Sequence, residues 1–136
     1  MRPDELDPLD AGVLEKLLAG DHRVLAALRR QVAEATAVHR ELSGVGFFTR
    51  FTLPETTAPA PVRCLRFGDV HGDIAGLQHG AGFVLFVDEG RITMLEGFSY
   101  GEPWPEEVNA FAIRYFDPMR PQLTHELAGL QPTRRE

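Results

Sequence analysis

Two periodicities divide the chain. Up to Gly44 apolar residues recur every three or four positions, and beyond it they alternate with other residues. Asp7-Pro8-Leu9-Asp10 reads as a helix start. Asp7 caps, Pro8 suits the first helical position, and Asp10 lies near the positive end of the helix dipole. Leu9, Val13, Leu14, Leu17 and Leu18 fall on one face, and Gly20 ends the helix in a left-handed conformation. Asp21 then caps a second helix. Along it Leu25, Leu28, Val32, Ala35, Val38 and Leu42 are spaced by 3, 4, 3, 3 and 4, one helical stripe closed by Ser43-Gly44. Arg30 and Glu34 pair one turn apart on its polar side. Residues 9–43 therefore predict a helix pair with a short joint.

Period 2 follows. Val45, Phe47, Thr49, Phe51 and Leu53 alternate with Gly46, Phe48, Arg50 and Thr52, a strand with one strongly apolar face. The run from Pro54 to Pro61 is too rich in proline to continue a sheet. A second strand is expected from Val62 to Phe67 and a short one around Asp69–Ile74. Gly82–Val87 and Arg91–Leu95 flank Asp88-Glu89-Gly90, whose Asp and Gly suit a tight hairpin turn. The first arm of that hairpin is apolar at nearly every position, the mark of a central strand covered on both faces. Helices cover one face; loops, the C-terminal segment or a second copy must cover the other. Phe111, Ile113 and Tyr115 predict a last strand, Leu123–Leu130 a short helix, and Gln131–Glu136 a frayed tail.

The expected fold class is α+β, in a single domain over residues 1–136. An N-terminal helix pair (9–43) packs on a mostly antiparallel sheet of about four to six strands (45–116), followed by a C-terminal segment (117–136).

Composition narrows the function classes. The 136 residues are 43% hydrophobic and 25% charged, enough for a core without disulfides or metals. Net charge is −6, which argues against nucleic acid as a partner. The charge is uneven. Residues 21–66 hold seven Arg against four acids, and residues 67–111 hold eight acids against Arg91 alone, a pattern that can draw copies together. An ordinary solvated surface is the plain alternative. The single cysteine, Cys64, cannot form an internal disulfide and reads as a small buried hydrophobe. The longest apolar run, Phe83–Val87, is far short of a membrane helix, and the charged Met1–Glu5 lacks a leader's apolar stretch. The expectation is a cytoplasmic protein with no membrane contact.

Candidate chemistry is sparse. Gly68-Asp69-Val70-His71-Gly72-Asp73 resembles the first metal motif, Gly-Asp-x-His-Gly, of calcineurin-like metallophosphoesterases. The resemblance implies metal ligation by Asp69 and His71 and a two-metal hydrolase. The family's Asp-Arg-Gly and Asn-His segments are absent, so these two remain weak metal candidates, with Asp73 and His79 as further donors for a lone ion. Plain loop residues are the alternative. No nucleophile elbow and no phosphate-cradling loop occurs. Glu96, Tyr100 and Trp104, with Glu102, bring carboxylates near aromatic rings and are the candidate ligand-binding residues. Against that, Trp104 between Pro103 and Pro105 suits a packing anchor.

Gly44-Val45-Gly46-Phe47-Phe48, Gly80-Ala81-Gly82-Phe83-Val84-Leu85-Phe86-Val87 and Leu95-Glu96-Gly97-Phe98-Ser99-Tyr100-Gly101-Glu102-Pro103-Trp104-Pro105 together resemble a family of small uncharacterised bacterial proteins. The likeness covers most of residues 9–116 and implies no activity and no site residue. The expected function is a non-catalytic protein-interaction module, pairing with itself as a homodimer or with another protein, an acidic inhibitor of a basic partner being one form. The alternatives are a small-molecule binder using the 96–104 loop and the Asp69/His71 hydrolase. No cofactor is expected, and enzyme activity is disfavoured.

Overall fold

The first helix begins where its cap dictates. In the computed structural model, which describes residues 6–128, α1 spans Pro8–Leu17 and the Asp7 carboxylate accepts the Leu9 N–H at 2.9 Å. Leu9, Val13, Leu14 and Leu17 are buried. The chain turns at Gly20 (φ +133°), and α2 spans Arg23–Glu34. Its cap is His22, not the expected Asp21: imidazole Nδ1 accepts the Val24 N–H at 3.1 Å. Arg29 donates to the Leu18 and Gly20 carbonyls, which fixes the joint.

The second helix is shorter than its stripe predicts. Ala35 is extended (φ −57°, ψ 137°), and Ala37–Leu42 forms strand β1. β1 pairs with β2 (Gly46–Thr52) from Ala37↔Thr52 to Leu42↔Phe47. Val38 is buried opposite Phe51, and Arg40 reaches back to α1. Residues 35–42 satisfy both periods, so pairing and burial decide against local helix propensity. Ser43-Gly44 consequently closes a hairpin rather than a helix, with the Ser43 N–H on the Gly46 carbonyl at 2.9 Å.

The sheet has seven strands, more than the four to six expected, and every pairing is antiparallel. The others are β3 (Cys64–Phe67), β4 (Val70–Ile74), β5 (Ala81–Asp88), β6 (Arg91–Ser99) and β7 (Phe111–Tyr115). The order is β1-β2-β6-β5-β4-β7, with β3 also on β5. Glu89 and Gly90, at φ 52° and 76°, make the two-residue turn between β5 and β6. β3 and β4 lie end to end along β5. Phe67 pairs with Leu85 and His71 with Gly82, so four steps on one side face three on the other. The extra residue is a bulge at Gly68-Asp69.

Aromatic rings cover glycines on neighbouring strands. A Cβ at Gly97 would lie 2.1 Å from the Phe47 ring, and one at Gly82 would lie 2.6 Å from the Phe98 ring. These pairs explain the repeated Gly-Phe dipeptides and help fix the register.

α1 and α2 cover one sheet face. Their leucines meet Phe47, Phe67, Phe83, Leu85, Ile92 and Leu95 in one core. Two buried polar groups stitch the layers together. Asp10 on α1 takes Arg40 at 3.1 Å and the Thr49 hydroxyl at 2.6 Å. Gln31 on α2 donates to the Gly90 and Ala58 carbonyls and accepts the Ile92 N–H. A third helix, α3 (Pro121–Ala128), buries Leu123 and Leu127, and its Gln122 accepts the Gly68 N–H. The tail expected from Gln131 lies outside the described residues.

Candidate functional site

Asp69 and His71 are committed to different structural tasks. Both Asp69 oxygens take the Arg120 guanidinium, Nε to Oδ2 at 2.6 Å and Nη2 to Oδ1 at 3.0 Å. Arg120 also donates to the Leu17 and Ala19 carbonyls and lies 4.4 Å from the Tyr115 ring centroid. Asp69 thus ties the bulge to the end of α1. His71 instead presents Nε2 to Asp73 at 3.2 Å, while Asp73 takes Arg114 at 3.3 Å, and its ring packs against Phe116. Among the described residues no three His, Cys, Asp or Glu side chains are grouped to hold a metal ion. Cys64 is exposed rather than buried, its thiol 3.4 Å from Asp88. Cys64 pairs with Asp88 at the end of its strand, on the side away from the helices.

Glu96, Tyr100 and Trp104 do not converge. Trp104 packs edge-on against the fully buried Phe47 at 5.6 Å, and its backbone N–H donates to the Gly44 carbonyl at 2.8 Å. It therefore belongs to the helix-covered side. Glu96 registers opposite Phe48 and Val84, which point to the other side. Tyr100 is 48% exposed and packs edge-on against Phe98. Glu102 serves the turn before β5, accepting the Gln78 and His79 N–H groups at 2.8 and 2.9 Å. Those two N–H donors hold its carboxyl below the usual range. Glu96 and Glu102 therefore stand in different settings, one on a sheet face and one closing a turn.

Asp10 is the most deeply buried acid described. Burial raises its pKa above the ordinary value, although Arg40 and Thr49 pull the other way. Sealed between helix and sheet, it is an element of architecture.

Among the described residues no helix covers the sheet face opposite α1 and α2. Strand alternation places Phe48 of β2, Val84 and Phe86 of β5, and Met94 and Phe98 of β6 on it, all half-buried. Arg66 and Phe86 are register partners, and the guanidinium lies 5.1 Å from the ring centroid. Arg50 stacks on Phe48 and pairs with Glu41 at 3.2 Å. Arg66 and Glu96 have no ion-pair partner among the described residues. At the β3 edge, Arg66, Phe86, Asp88 and Thr93 line an open groove of about 520 Å³. Neither Phe48 nor Met94 stands out in the sequence as a candidate site residue. The available signal was apolar residues at both phases of the alternation in β2, β5 and β6.

No helix among the described residues is long and apolar enough to cross a membrane. Compared with known proteins, no family model, curated protein or solved structure matches the chain. The family resemblance read from the Gly-aromatic segments is accordingly carried by those segments alone.

Proposed function

We propose that the protein is a non-catalytic interaction module that binds a protein partner through the uncovered sheet face. One observation supports this above the rest: Phe48, Val84, Met94 and Phe98 surround Glu96, with Phe86 beside them, as a half-exposed and largely apolar cluster in the middle of a sheet whose other face carries the helices and the core. Soluble monomers rarely expose contiguous apolar patches of several hundred Å² without a use for them. Arg50, Arg66 and Glu41 rim this cluster and Glu96 stands within it, so a partner must meet charge as well as apolar surface. The candidate ligand residues divide between the two sides of the sheet, which favours this reading over a small-molecule pocket at the 96–104 loop.

Photocrosslinking in cells tests it. A benzophenone side chain placed at position 86 or 94 is expected to capture a protein, whereas the same group at the exposed Arg30 position on α2 is not. Equal yields from both sides, or no adduct from the sheet face, would remove the proposal.

A further inference from the structure

We infer that the occupant of the open face is a second copy of this chain, joined by two reciprocal Arg66–Glu96 contacts; this rests on the interaction reading above. Arg66 and Glu96 are charges of opposite sign on one largely apolar surface, without ion-pair partners among the described residues. Arg66 sits opposite Phe86, Phe86 opposite Met94, and Glu96 two residues along β6 from Met94. Their backbone positions are therefore about 9.6 Å apart across the strands and about 6.8 Å along them, and the Arg66 guanidinium lies over the Phe86 ring rather than on Glu96.

An apolar partner laid on this face would strip water from Glu96 and Arg66 and leave both uncompensated, which is costly. The partner must supply a cation over Glu96 and an anion over Arg66, at the same separation. A second copy supplies both. A two-fold axis lying in the interface and crossing β5 between Val84 and Phe86 carries Arg66 of each copy onto Glu96 of the other. Isologous pairing demands this kind of self-complementarity, and a face of one sign would repel itself. Val84 and Phe86 then flank the axis, Met94 and Glu96 stand at equal distance from it on β6, and Phe48 lies beyond Glu96 on β2.

The size of the face points to a weak pair. Four strands at about 4.8 Å spacing and about seven residues at about 3.4 Å give roughly 450 Å² in projection. That is below the roughly 800 Å² per partner of a standard interface, so dissociation constants on the order of ten micromolar are expected.

Sedimentation velocity under reducing conditions, so that the exposed Cys64 cannot link copies, tests the pairing from about 1 to about 300 micromolar. The wild-type chain should shift from monomer to dimer across that range. Arg66→Glu alone and Glu96→Arg alone should each weaken the dimer by about tenfold or more, because symmetry places the altered charge in the interface twice. An equimolar mixture of the two variants should regain dimer, since every crossed contact then joins opposite signs. Thermal melts confirm that each variant is folded. A wild type that stays monomeric, single variants that dimerise as well as wild type, or a mixture that fails to recover would each overturn the inference. Monomeric wild type together with a position-86 adduct to a different protein would end self-pairing and leave the interaction reading intact. Monomeric wild type with no adduct would end both.

Discussion

Replacing Gln31 with Leu sets two effects of opposite sign against each other. The side chain is about 1% exposed in the middle of α2. Leucine has similar bulk and is more apolar, so area alone predicts a gain of about 1–2 kcal/mol. Hydrogen bonding predicts a loss. Gln31 Oε1 accepts the Ile92 N–H at 2.9 Å, and Nε2 donates to the Gly90 carbonyl at 2.8 Å and the Ala58 carbonyl at 3.1 Å. Gly90 keeps a second partner, the Ala60 N–H at 2.8 Å, and loses little. The Ile92 N–H and the Ala58 carbonyl are left without these partners, at about 1–3 kcal/mol each. The balance is a destabilisation of about 2–3 kcal/mol. With about 2.1 cal/mol/K of unfolding entropy per residue over the chain, that lowers Tm by about 7–10 °C. Urea titration and calorimetry would measure it, and hydrogen exchange should show faster exchange at the Ile92 amide. A Gln31→Leu protein as stable as wild type, or more so, would refute the view that this glutamine holds helix to hairpin by hydrogen bonds.

Gly97→Ala places a methyl 2.1 Å from the Phe47 ring and should cost about 3 kcal/mol or prevent folding, whereas Gly44→Ala, with open space at φ +92°, should cost only about 1 kcal/mol in chemical denaturation. Asp10→Ala leaves Arg40 and the Thr49 hydroxyl facing an empty buried site and should lose about 3 kcal/mol in the same assay. His22 caps α2 through an unprotonated Nδ1; burial first, and Arg23 second, lower its pKa below the ordinary 6.5. The native state therefore binds fewer protons than the unfolded chain, so stability falls as pH drops below about 6.5. His22→Asn, which caps without titrating, should flatten that part of a Tm-against-pH curve; an unchanged slope would assign it to other groups. Trp104→Ala should lower Tm by removing a ring from Phe47.

The parts of the fold legible in the sequence are those where one local signal acts alone. Asp7-Pro8 marks the start of α1, and Asp88-Glu89-Gly90 marks the central hairpin, because turn and cap chemistry is set within a few residues. β1 was illegible because Val38 and Leu42 continue a helical stripe as well as they alternate, and only β2, remote from them in the helix reading, decides. Strand number was underestimated for the same reason. The candidate site was partly legible. Trp104 stood out by its aromatic-proline setting, which also suits the anchoring it performs against Phe47. That Glu96 and Trp104 fall on opposite sides follows from register, which single residues do not announce. Phe48 and Met94 were hidden because alternation marks an inner face clearly only when the outer one is polar.

The Gly68-Asp69 bulge carries a consequence for parity. Before it, even-numbered side chains such as Arg66 look outward, and after it odd-numbered ones such as His71 and Asp73 do. The inserted residue thus acts as a phase shifter that lets one continuous stretch send Phe67 and Val70, three apart, into the same interior. Deleting Asp69 would leave Phe67 and Val70 two apart, so plain alternation would still send Val70 and Ile74 inward, and the loss would be the Arg120 tether rather than the facing of the strand.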